Sequence, residues 1–222
     1  MPLAIHATSN ALRVTLAITY PLSHPVTGLR TVRILPRRLA AVSESEFTLA
    51  QQAQLHQGAR FEFRCELAPQ DRDNGEEWAA FLLELDGVYG TFLLGDPSFI
   101  AKGARGALGG MPLVNGASQT GKNLNIDELT PSVANWIRKG DYFQLGTGAA
   151  SRLYKCSQSA NSNVSGQATM QFWPPIVTAP ADNATVTVTG AEGVFRLAAQ
   201  VEYSIDEALH FGFGFDAVAV VP

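Results

Sequence analysis

Apolar residues at every second position are the feature that most constrains how this chain can fold. From residue 60 to residue 67, four charged side chains alternate with four apolar ones. The apolar members are Phe61, Phe63, Cys65 and Leu67. Successive side chains of a strand point to opposite faces, so this pattern predicts an antiparallel strand with one face in the core and one in water. The same alternation predicts further strands over residues 12–18 and 209–217.

One segment changes to a helical period. Its apolar residues follow the spacing i, i+3, i+4 and i+7, and they are Trp78, Phe81, Leu82 and Leu85. This stripe predicts a short helix with one face packed against a sheet. We expect Asn74 to cap its N-terminus and Glu77 to occupy the capping-box position. Gly87 would then be the left-handed residue after the helix.

The middle of the chain has a different composition. Glycine and alanine are frequent over residues 103–110, which predicts a flexible connection. Short candidate strands follow at residues 142–145, 152–157, 168–173 and 184–188. Short strands separated by glycine, proline and asparagine turns are typical of all-β modules. Residues 125–139 stay ambiguous, because Pro131 interrupts their helical spacing.

Together these patterns predict a mainly-β fold. We expect an antiparallel β-sandwich or barrel-like domain with one packed α-helix, plus an inserted small β module. Because the longer alternating pattern resumes near residue 193, we assign residues 1–102 with 193–222 to the first domain. Residues 103–192 form the inserted module in this division.

Two glycine-rich motifs resemble nucleotide-binding loops without their structural context. Residues 116–123 match a phosphate-binding loop up to Asn123, which stands where a serine or threonine would hold magnesium. Residues 146–151 resemble a dinucleotide-binding turn but continue into a predicted strand instead of a helix. No alternating series of strands and helices surrounds either motif. We therefore expect a polar loop at the first and a hairpin turn at the second.

The nucleophilic and acidic side chains do not form a recognisable catalytic pattern. Cys65 lies on an apolar strand face, and Cys156 has no histidine near it in sequence to activate its thiol. The histidines, His6, His24, His56 and His210, lack metal-ligand spacing. The paired acids are Glu44 with Glu46, Glu76 with Glu77, Asp127 with Glu128, and Asp206 with Glu207. Solvated strand faces, turns and a helix start account for these pairs, so we assign no catalytic, cofactor-binding or metal site.

Charge and hydropathy exclude two broad classes of function. The net charge is −4, and no basic face is concentrated in the sequence, which argues against nucleic-acid recognition. No stretch reaches the roughly 18 uninterrupted apolar residues of a membrane-spanning helix. The first residues lack the charged and apolar regions of a signal peptide, so we expect synthesis in a cytoplasm.

The order and spacing of several segments resemble the distal tail proteins of phages with long, non-contractile tails, including the lambda-like tail-tip ring protein. The segments are FEFRCEL at 61–67, EWAAFLLEL at 77–85, DGVYG at 86–90, TFLLGDP at 91–97, VEYS at 201–204 and FGFGFD at 211–216. The middle segments GDYFQLG at 140–146 and RLYK at 152–155 resemble an insertion seen in such tail proteins.

This resemblance implies a virion structural protein and no enzyme activity or cofactor. Members form a ring, usually of six copies, at the distal end of the tail tube, and connect the tube to the tail-tip hub or baseplate. The expected partners are other copies of the chain, the tail tube protein and the hub protein, with side fibres held by the inserted module. The expected location is the tail tip of the virion, after synthesis in the cytoplasm of the bacterial host.

Two alternatives from other classes remain open on the sequence alone. A carbohydrate-binding β module would use Trp136, Trp173 and Tyr142 as an aromatic face for sugar rings, unless these rings fill the core instead. A cysteine-dependent hydrolase would need a reactive thiolate at Cys156 near neutral pH.

Overall fold

Strands dominate the computed structural model, which describes residues 18–26 and 28–221. The strands are β1 Leu22–Ser23, β2 Leu29–Glu44, β3 Gln51–Leu67, β4 Phe92–Leu94, β5 Gly110–Val114, β6 Gly121–Leu129, β7 Tyr142–Leu145, β8 Arg152–Cys156, β9 Ala168–Ile176, β10 Val186–Thr187, β11 Gly193–Leu197, β12 Tyr203–Ile205 and β13 Phe211–Ala219. The helices are α1 Arg72–Glu84 and α2 Pro97–Lys102, and a 3-10 turn spans Gly148–Ala150. The strand predicted over residues 12–18 lies outside the described residues, apart from Ile18.

The first sheet has seven strands in the order β1-β4-β11-β13-β3-β2, with β12 beside β13. All of its pairs are antiparallel except β1 with β4. The aromatic row predicted on β3 and β13 faces α1, where the Trp78 ring lies 5.9 Å from the Phe215 ring. Trp78 is fully buried, because the apolar stripe of α1 covers this face of the sheet.

The second sheet has six strands in the order β10-β7-β8-β9-β6-β5 and curls until its ends almost meet. The Val114 amide of β5 donates to the Ala184 carbonyl just before β10 at 2.9 Å, and the Asn183 amide donates back to the Val114 carbonyl at 2.9 Å. The result is a nearly closed barrel. Its interior is filled by buried rings, namely Trp136, Phe143, Tyr154 and Phe172. The predicted mainly-β fold with a packed helix is confirmed.

The second sheet takes its strands from residues 110–187, between strands that belong to the first sheet. The two sheets contact each other through side chains and backbone: Phe61 of β3 packs on Trp173 of β9, and the Val194 amide donates to the Ser151 carbonyl at 3.1 Å. The division into two domains at residues 103 and 192 stays a prediction.

Buried Asp141 ties the connection between the sheets to the barrel. Its side chain is 1% exposed and accepts backbone hydrogen bonds from Arg105 at 3.1 Å, Gly106 at 3.0 Å and Arg138 at 3.0 Å. The Arg105 guanidinium adds an ion pair at 3.3 Å. The glycine-rich segment that the sequence predicts to be flexible is therefore a coil held by one carboxylate.

Several local predictions need correction. Asp71, and not Asn74, caps α1: its carboxylate accepts from the Asn74 amide at 3.0 Å, so the helix begins at Arg72. Gly87 follows the helix with φ +66° as predicted. Residues 125–139 contain no helix, because residues up to Leu129 belong to β6 and the remainder forms turns. The sequence patterns did not predict β2, β5, β6 or α2.

Candidate assembly surface

The most unusual surface of the described chain is a two-stranded projection made by β2 and β3. Strand β13 pairs with β3 only between Glu62 and Glu66, whereas β2 and β3 pair with each other out to Glu44 and Gln51. Residues 38–59, which we call the arm, therefore extend beyond the sheet as an isolated hairpin. From Arg38 to Glu44 the strand covers about 20 Å at its usual rise per residue.

The arm exposes apolar side chains on both faces, because no second layer formed by residues 18–26 and 28–221 covers either one. The exposed fractions are 51% for Leu39, 62% for Val42, 97% for Phe47, 70% for Leu49 and 62% for Leu55. Scattered exposed apolar residues are normal, but this set is concentrated on one projection. Concentrated apolar surface of this kind is typical of sites that bind a protein, a membrane or a ligand.

The strand edges of the arm are also unprotected. Residues 39–43 and 51–59 contain no lysine, arginine, aspartate or glutamate. Natural sheets usually place charges on exposed edges to block pairing with other chains. Residues 39–43 and 51–59 of the arm are therefore able to pair with a strand of a neighbouring molecule.

Positive charge is concentrated at the base of the arm. Arg37 and Arg60 both contact Glu62, with Nη1 of Arg37 at 3.2 Å and Nη2 of Arg60 at 2.7 Å from its Oε1 atom. Burial raises the pKa of Glu62, but hydrogen bonds and charge from Arg60 and Arg37 outweigh burial and lower that pKa below its usual value. Arg38 follows Arg37 on β2, so three arginines lie at the base of the arm and Glu62 contacts two of them.

Neither cysteine is placed for catalysis. Cys65 and Cys156 are each 2% exposed. Burial raises the pKa of both thiols to about 12, with a further contribution from the charge of Asp216 for Cys65 and of Asp141 for Cys156. A thiolate at Cys156 near neutral pH is therefore strongly disfavoured.

The described histidines have different surroundings. His24 stacks on Trp78 at 5.9 Å, His56 is exposed on the arm, and His210 lies 3.7 Å from the Asp206 carboxylate. His6 lies outside the described residues. Across residues 18–26 and 28–221, no three histidine, cysteine or acidic side chains are grouped to hold a metal ion.

The aromatic residues that the carbohydrate hypothesis requires do not share an exposed face. Trp136 is 0% exposed inside the barrel, and its Nε1 atom donates to the Gly109 carbonyl at 2.8 Å. Tyr142 is 1% exposed, and its hydroxyl accepts from Lys155 Nζ at 2.9 Å. Trp173 packs edge-on against Phe61. Trp136 and Tyr142 therefore lie in the core, whereas Trp173 is half-buried.

The two glycine-rich motifs form turns between antiparallel strands. Residues 116–120 connect β5 to β6, where the Gln119 side chain accepts from the Asn125 amide at 2.7 Å and donates to the Asn115 carbonyl at 2.9 Å. Residues 146–151 connect β7 to β8 through the 3-10 turn. Neither motif is followed by a helix, as the sequence predicts.

A comparison with protein-family models and with curated proteins found no match for this sequence. Within the described part of the chain, no helix is long and apolar enough to cross a membrane.

Proposed function

We propose that this chain is a structural subunit of a phage virion, forming a ring at the distal end of the tail tube. In this role it connects the tube to the tail-tip hub or baseplate. The observation that carries the proposal is the arm, an extended hairpin with exposed apolar side chains and uncharged strand edges. A monomer gains nothing from this surface, whereas an oligomer covers it.

In a cyclic assembly every arm has a neighbouring copy to which it can bind. In a head-to-tail ring each copy uses one surface to contact the next copy and a different surface to contact the previous one. An arm that extends about 20 Å from its own sheet reaches beyond the body that carries it. Six copies, the usual number in the proteins this sequence resembles, are the expected ring size.

The contact between the two sheets suits a load-bearing ring subunit. Phe61, Trp173 and Tyr142 form an aromatic seam between β3 and the barrel, with the Phe61 and Tyr142 ring centroids 6.3 Å apart. Close packing of this kind transmits force without large rearrangement. On this proposal the module of residues 103–192 is the part available to side fibres, and the remainder contacts the tube and hub.

The oligomeric state of the purified protein, measured by light scattering and by electron microscopy, tests the proposal. Light scattering should give a closed oligomer, and negative-stain images of the same fraction should show rings of six copies. A matched variant replaces residues 41–54 with Asn-Gly, which closes the shortened hairpin between Ala40 and Leu55 with a two-residue turn. This variant should keep the circular dichroism spectrum of the wild type and remain monomeric.

A second measurement locates the protein in the virion. Gold-labelled antibody against the purified chain should mark the distal end of the tail on particles that encode it. Labelling of the capsid, or labelling along the whole tube, would contradict the proposed position. Rings that form equally well with the shortened arm would remove the arm as the support for the proposal.

A further inference from the structure

An open cleft of about 820 Å³ lies where the arm leaves the body. On the arm side it is lined by Arg37, Arg38 and Arg60, and on the body side by residues 175–177 of the barrel and by Val221. We call it the arm-base cleft. Three arginines and an apolar wall therefore line the same cleft.

The pairing of β2 with β3 is irregular where the hairpin lines this cleft. Arg38 pairs with Ala59 and Ala40 pairs with Leu55, so β3 carries two more residues than β2 in this interval. Gly58 lies in the extra segment against Leu39: a Cβ atom on Gly58 would be only 2.8 Å from the Leu39 Cδ1 atom. Glycine permits this close approach, and irregular pairing of this kind is where strands bend.

Arg38 is the least satisfied charged group in the cleft. Its Nε and Nη1 atoms are shielded from solvent, and within residues 18–26 and 28–221 neither has a hydrogen-bond partner. Buried donors are normally paired, because leaving one unpaired costs free energy. Glu62 already contacts Arg37 and Arg60. Arg38 forms no ion pair within the described residues, so its positive charge is complementary to a carboxylate of another subunit.

The tip of the arm carries the complementary chemistry. Glu46 and Phe47 lie side by side in the turn, and Phe47 is 97% exposed. The turn is shaped by its own hydrogen bonds, since the Ser45 amide donates to the Ala50 carbonyl at 3.0 Å and the Leu49 amide donates to the Ser45 carbonyl at 2.9 Å. The tip therefore offers a carboxylate and an apolar ring on a defined scaffold.

The geometry points to docking between copies: we propose that the arm tip, residues 45–50, binds in the arm-base cleft of the next copy of this chain. Glu46 pairs with Arg38, and Phe47 packs on the apolar wall formed by residues 175–177. A tip cannot reach the cleft of its own subunit, because about 20 Å of strand separates them. This inference rests on the proposed ring and names the contact that closes it.

Disulfide trapping between two preparations tests the contact. One preparation carries Ala50→Cys in the arm tip, which leaves Glu46 and Phe47 in place, and the other carries Gln57→Cys at the rim of the cleft. The matched control for the second is Gln200→Cys, at an exposed position outside the arm and the cleft. The native cysteines are buried and do not interfere. The variants are mixed in equal amounts, oxidised mildly and analysed on non-reducing gels, with mass spectrometry of the linked peptides.

Docking predicts a link between positions 50 and 57 at least about tenfold faster than the link between positions 50 and 200, because docking raises the local thiol concentration towards millimolar. If light scattering shows oligomers but the two links form equally, the docking contact is wrong and the ring proposal stands. If the 50–57 link forms in open chains or dimers without rings, the contact is right and the ring proposal fails. If the mixture neither associates nor cross-links at high concentration, docking is overturned.

Discussion

Phe61 of β3 lies edge-on to Trp173 of β9, with ring centroids 4.7 Å apart and ring planes at 79°. This contact joins the first sheet to the barrel. The same Phe61 ring is 6.3 Å from Tyr142, so one side chain bridges two strands of the barrel. Aromatic pairs in this geometry contribute beyond the area that they bury. The relative position of the two sheets therefore depends strongly on Phe61.

Replacing Phe61 with alanine should lower the free energy of unfolding by about 3–5 kcal/mol, because a buried ring is removed and a cavity is left. The measurement is urea unfolding followed by tryptophan fluorescence, since Trp173 loses its neighbour. The matched control is Leu83→Ala on α1, which is 81% exposed and lies outside the arm and the barrel. The control should unfold at the urea concentration of the wild type.

Asp141→Asn should destabilise the protein although the side chain keeps its size. The two carboxylate oxygens accept from three backbone amides, and an asparagine offers only one acceptor oxygen. Losing charge-assisted hydrogen bonds of this kind costs about 2 kcal/mol or more. Hydrogen exchange of the Arg105, Gly106 and Arg138 amides should become faster. Unchanged exchange at these amides would contradict the role of Asp141 in holding the connection.

Apolar spacing in the sequence predicts only those strands and helices that bury one face and expose the other. Residues 61–67 and α1 satisfy this condition, because their apolar positions reflect a core that lies on one side only. The arm does not satisfy it: both of its faces are exposed, and its alanines and glutamines show no period. Its strands are held by pairing with each other. The only local signal was the absence of charge over residues 39–43 and 51–59.

The left-handed backbone of Glu128 explains why the apolar spacing before Pro131 resembles that of a helix. Leu124 and Ile126 keep the spacing of two that is typical of a strand, but the next buried residue is Leu129. Glu128 has φ +57°, which shifts the following side chain to the buried face. The resulting interval of three imitates a helix.

The arm-base cleft could not be found from sequence spacing, because Arg38 and the apolar residues that face it across the cleft are far apart in the sequence.

The buried thiols should make stability fall at alkaline pH. The usual thiol pKa is near 9, and burial raises it to about 12 in the folded state for Cys65 and Cys156. Folded thiols therefore keep their protons where unfolded thiols lose them, so the stabilisation is complete below pH 9 and is lost as pH rises towards 12. Each thiol contributes a slope of about 1.4 kcal/mol per pH unit in this window.

Urea unfolding at several pH values between 8 and 11 measures this slope. The combined Cys65→Ala and Cys156→Ala variant should show a shallower decline than the wild type, whatever its stability at pH 8. Equal slopes for the two proteins would mean that the thiols ionise in the folded state. Such a result would make Cys156 a reactive group and reopen the hydrolase interpretation.

Reversing charges on the arm should weaken association and then restore it. Arg38→Glu or Glu46→Arg alone places like charges in contact at each docking site, which should cost about 2 kcal/mol or more per interface. The combined variant recreates an opposite pair with the charges exchanged, so association should recover in part. Sedimentation velocity over a concentration series measures both effects.

The matched control is Arg33→Glu on the same strand, because the Arg33 side chain is 68% exposed and lies 3.6 Å from Glu66. If Arg33→Glu weakens association as much as Arg38→Glu, or if the combined variant does not recover, net charge and not the paired contact governs assembly.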